Sequence, residues 1–146
     1  MTDAIVIPLE FWQDPHGDVI LIYSEQECSV YFACWKARGI PAEFIGHLSF
    51  RASAARSFAR EYLPYRVPPH THHSYILHIP SSDFVREHTA YRQSHYPNSP
   101  KLPEPNHYVV QGHDIYHEIL AYHFTTSTIP NQNVTDPRLL RLIAFA

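Results

Sequence analysis

The chain has 146 residues, is 45% apolar and 17% charged, and carries a formal net charge of −3 at pH 7. That length and apolar content suit one folded domain closing its own core, and exclude a disordered tail. No apolar run approaches the ~20 residues that span a bilayer, and only two lysines, Lys36 and Lys101, are available to neutralise phosphates. A membrane is therefore not an expected partner, and nucleic acid is disfavoured.

The opening MTDAIVIPLEF places no basic residue before its apolar stretch, unlike a secretory signal. The two cysteines, Cys28 and Cys34, are too few for a disulfide framework. Both features point to a soluble cytoplasmic protein with reduced thiols.

In chain order, Ala4 to Trp12 reads as a strand, and Asp14-Pro15-His16-Gly17-Asp18 as a turn. Val19 to Tyr23, Ser29 to Trp35 and Glu43 to Phe50 follow as strands whose short connections predict an antiparallel meander. Ser53 to Leu63 sets Ala54, Phe58 and Tyr62 at helical spacing and predicts a helix ended by Pro64. His73 to Ile79 reads as a strand. Ser81 or Ser82 then caps a helix from Asp83 to about His95. Pro97, Pro100, Pro103 and Pro105 make an extended loop, either a lid or a connector.

His107 to Gln111 predicts a strand and Gly112-His113-Asp114 a tight turn. Tyr116 to Thr128 fits either a strand or a helical face, and its β-branched tail favours the strand. Asp136-Pro137 is an N-cap and first-turn pair opening a short apolar helix, LLRLIAFA. The expected fold is a single α+β domain spanning residues 1–146. It has a mostly antiparallel sheet, about two helices on one face and a short C-terminal helix. A helix as apolar as the last one needs cover, from the core or from a second copy, so residues 136–146 are a candidate homo-oligomer contact.

Twelve histidines stand out, and two sets of them suggest chemistry. His47-Leu48-Ser49 and His123-Phe124-Thr125 repeat one pattern, His, any residue, then Ser or Thr. On strands, His47 and Ser49 share a face, as do His123 and Thr125. This resembles the motif of the two-histidine phosphoesterases. The resemblance implies one imidazole as base, the other as acid, and the hydroxyls holding the phosphodiester oxygens. The second set comprises His70, His72, His113, Asp114 and His117, residue types that ligate a divalent transition metal. Its spacing matches no established metal motif, so solvated loop histidines, and no cofactor, are the default expectation. Without a decisive motif, the reading is a small intracellular binding or accessory protein without catalysis. A histidine-dependent phosphodiester hydrolase and a metal-binding protein or metal-assisted hydrolase are the alternatives.

Overall fold

The computed structural model describes residues 2–25, 27–36, 43–70 and 75–143. Its frame is a largely antiparallel sheet of β2 (Ile5–Val6), β3 (Trp12–Gln13), β4 (Val19–Ser24), β5 (Glu27–Trp35), β6 (Phe44–Ala59), β8 (Ile76–His78), β9 (Asn106–Gln111) and β10 (Ile115–Pro130). The strand order is β2-β8-β9-β10-β6-β5-β3, with β4 also paired to β5. A short parallel pair joins β1 (Thr2–Asp3) to β7 (Tyr65–Arg66). One longer helix, α1 (Asp83–His95), and a short C-terminal one, α2 (Leu140–Ile143), complete the α+β fold.

The sheet has an inner and an outer face. Alternation along β5 and β6 sends Cys28, Val30, Phe32, Leu48, Phe50 and Ala52 inward to the largest core cluster, with Ile76, Val110 and Ile119 from the other strands. Side-chain bonds then tie the two ends of the sheet together. Gln13 Nε2 donates to the Gln111 carbonyl at 2.7 Å, Tyr75 N–H donates to Gln13 Oε1 at 3.1 Å, and His117 Nε2 donates to the Val19 carbonyl at 2.9 Å. The sheet thus curls around its own core. On the outer face, Tyr116 and Val109 pack with Leu77 and Ile79 beneath the segment around Tyr65. At the opposite end, Leu139 and Leu142 cover Ile45.

The expected helix over residues 53–63 is replaced by the second half of β6 and a single 3-10 turn, Arg60–Tyr62. The cause is tertiary. Residues Ala54 to Ala59 pair with Leu120 to Ile115 on β10, and this ladder outweighs the helical bias of an Ala- and Arg-rich stretch. The spacing itself does not discriminate, since Ala54, Phe58 and Tyr62 stand four residues apart and steps of four also return to one face of a strand. Two bulges interrupt the ladder: Ser53 is skipped on β6 between Ala52 and Ala54, while Tyr122 and His123 together stand opposite Arg51. Each bulge shifts the inward alternation by one residue, so neither strand shows a clean period of two along its length. Residues 116–128 are strand, as favoured, and Ser82 is the α1 cap.

Candidate functional site

His47 and Ser49 lie on the outer face of β6, opposite Ser127 and Thr125 of β10. The His47 ring stacks on Tyr31, with centroids 4.5 Å apart, and its nitrogens lie 3.0 Å from Ser29 Oγ and 3.4 Å from Ser127 Oγ. Burial lowers its pKa from the usual imidazole value. His123 is exposed in the β10 bulge, opposite Arg51. Ser49 and Thr125 are brought together, but the two histidines are not. Four residues of strand separate His47 from the level of His123, about 13 Å at the usual rise.

His113 and Asp114 share the exposed turn between β9 and β10, bonded to each other at 3.1 Å. His117 points the other way, into the core, and both of its nitrogens serve protein partners. Nε2 donates to Val19 O, which leaves Nδ1 to accept from the Ser57 hydroxyl at 2.6 Å. Burial lowers its pKa, more than the Val19 bond raises it. His70 is exposed on the segment before β8, and His72 lies outside the described residues. Among the described residues, no three His, Cys, Asp or Glu side chains converge as a metal site.

The polar side chains that do converge come from four strands on the outer face and from the cap of α1. Glu118 of β10 is 1% exposed. Its Oε2 accepts from Arg56 Nε, and its Oε1 accepts from the Tyr65 hydroxyl and from His107 Nε2, the last at 3.0 Å. Burial alone would push this carboxyl up, but the bonds from His107, Arg56 and Tyr65 outweigh it and hold the pKa below the ordinary value. The Arg56 guanidinium lies 3.8 Å from the Phe84 ring centroid, and His107 sits edge-on to Tyr65 and Phe84. Beyond the imidazole, His107 Nδ1 lies 2.7 Å from Ser82 Oγ, which also accepts the Val85 N–H at 3.0 Å as the α1 cap. Sequence reading placed Ser82 as a cap and His107 and Glu118 on strands. No spacing rule connects three residues whose meeting depends on the β9–β10 register and on the docking of α1.

Two concavities flank the loop over residues 96–105. One, of about 260 Å³, is bounded by Ile79, Pro80, Val85 and Pro105 and reaches Ser82 and His107. The other, of about 280 Å³, runs between the C-terminal half of α1 and the proline-rich loop, and includes Ser53 and Tyr122. Both of these residues belong to bulges, which re-aim side chains off the regular pleat. The Tyr122 hydroxyl donates to the Pro103 carbonyl at 2.8 Å, and Asn106 Nδ2 donates to the Tyr122 carbonyl at 2.7 Å, tying the loop to the sheet. The loop is a wall of this groove rather than a bare connector. Arg92 and Lys101 line it and form no ion pair among the described residues. His88 lines it too, its pKa lowered by burial and by the charge of Arg92.

No protein-family model, curated protein or solved structure matches this chain.

Proposed function

We propose that this protein binds a small planar anion, such as an aryl carboxylate, in the groove between α1 and the proline-rich loop, and that the work of this groove is binding rather than catalysis. The observation that carries the reading is the composition of one concave wall. Tyr96, Tyr122 and Leu102 offer apolar and aromatic surface, while Arg92 and Lys101 supply positive charge not committed to an ion pair among the described residues. A guanidinium grips a carboxylate through two parallel hydrogen bonds, and the rings supply stacking surface for the ligand body. His88 adds a neutral imidazole at neutral pH, because its pKa is depressed. Glu104 on the same rim disfavours a second negative charge, which suits a monoanion. Neither the two-histidine reading nor the metal reading has a comparable convergence of side chains among the described residues.

The test is a titration with 1-naphthoate followed by amide chemical shifts. Shifts confined to residues 88–105 and Tyr122 are expected. Arg92→Ala should weaken binding by roughly tenfold, the scale of one charge-assisted hydrogen bond. Shifts scattered over the surface, or an Arg92→Ala variant that binds equally well, would overturn the proposal.

A further inference from the structure

The chain of bonds through Ser82, His107 and Glu118 has a direction. Glu118 accepts hydrogen bonds from Arg56 and Tyr65 and is held ionised, so the proton between it and His107 belongs to Nε2. In the neutral imidazole Nδ1 is then a lone pair, and the Ser82 hydroxyl 2.7 Å away donates to it. The order hydroxyl, imidazole, carboxylate, each donating to the next, is the arrangement that activates a serine: a base for the hydroxyl proton, and an anion that fixes the base's tautomer and stabilises the imidazolium. The ring offers Nδ1 to the serine and Nε2 to the carboxylate, and either nitrogen serves as base. Ser82 is 6% exposed and His107 1%, and both border the 260 Å³ cavity beside the α1 N-terminus.

We infer that Ser82, His107 and Glu118 form a nucleophilic triad for small carboxylic esters that enter this cavity. Ser82 Oγ attacks the acyl carbon, and its proton moves to His107 Nδ1. The carbonyl π pair shifts to oxygen, and the positive end of α1, which begins one residue after Ser82, favours the negative charge that develops there. Collapse of the tetrahedral adduct breaks the ester C–O bond, and the His107 proton goes to the leaving alkoxide. Water then repeats the sequence on the acyl-serine, releasing the acid and restoring the hydroxyl. Ile79, Pro80, Val85 and Pro105 offer the acyl group apolar contacts in a cavity whose remaining lining, His78, Arg86, Glu104 and Asn106, is polar, and the volume limits it to a short chain. The site shares only Glu104 and Pro105 with the anion groove, so it does not rest on the binding reading.

A network that only fastens α1 to the sheet would show the same bonds without nucleophilicity, and labelling separates the two. The folded protein is treated with a fluorophosphonate, whose P–F bond is exchanged for an Oγ–P bond with loss of fluoride, and the adduct is mapped by peptide mass spectrometry. One adduct per chain at Ser82 is expected, together with hydrolysis of p-nitrophenyl acetate that the adduct abolishes. Glu118→Gln and His107→Gln, with near-ultraviolet circular dichroism confirming their fold, should label at least a hundredfold more slowly, the scale of a lost general base. If Ser82→Ala fails to fold, those two variants carry the comparison. An unlabelled wild-type protein, an adduct elsewhere, or equal labelling of the folded Gln variants overturns the inference.

Discussion

Gly46 sits where β6 passes beneath two phenyl rings of the core. A Cβ added there would lie 2.6 Å from Phe32 Cε2 and 3.0 Å from Phe11 Cε2, closer than side chains tolerate. Those rings are themselves packed 6.0 Å centroid to centroid, so neither has room to retreat without moving the other. Gly46→Ala should destabilise the protein by about 1–3 kcal/mol, the cost of overpacking a filled core. Urea unfolding measures it, and an unchanged midpoint would show that the rings shift freely. Sequence reading put Gly46 on a strand and stopped there, because the clash depends on Phe11, which arrives from a segment thirty-odd positions earlier. The cysteines were more legible. Two cysteines alone implied free thiols, and both Cys28 and Cys34 are free and buried, with burial pushing each thiol up to about 12.

At the scale of elements, legibility followed how local the cause was. The α1 helix was readable because its signals sit within it: Ser82 accepts the Val85 N–H, and Asp83 occupies the first turn. Asp136 likewise accepts the Arg138 N–H ahead of the C-terminal segment. The second half of β6 was misread because its cause is β10, about sixty residues away. The Glu118 cluster was invisible for the same reason, since β6, β7, β9, β10 and the α1 cap each contribute one side chain. The C-terminal segment falls between these cases. Its apolar residues demanded cover, and Leu139 and Leu142 find it within the chain, against Ile45, Ile20, Tyr31 and Ile129. Leu142→Ala should therefore cost about 2–4 kcal/mol whether or not copies associate, because it opens a cavity in an intramolecular contact. Thermal unfolding at several protein concentrations decides the matter. A loss that disappears on dilution would move the contact to an interface between chains, and a constant loss keeps it inside one.

At the scale of the whole molecule, acid should act in two stages. His47, His78, His88 and His117 all have pKa values lowered in the folded state, chiefly by burial, with help from His107 at His78 and from Arg92 at His88. The unfolded chain therefore takes up protons at these sites first as the pH falls. Their contribution to stability is complete above about pH 7 and drains away as the pH drops below the unfolded imidazole value near 6.5. Glu118 acts lower. Its folded pKa is below that of an exposed carboxyl, so its contribution persists above about pH 4.5 and is lost as the pH falls through the folded value. The melting temperature should then fall between pH 7 and 5 and fall again below pH 4.5. His117→Gln, which keeps a donor for the Val19 carbonyl, should flatten the first stage, and Glu118→Gln the second. Both variants start from lower stability at pH 7, so the slopes are the informative quantity. A wild-type melting temperature constant from pH 7 to 5 would mean that the buried imidazoles accept protons where they stand. That outcome requires water to reach His117 past Val19 and Ser57, which its two hydrogen bonds argue against.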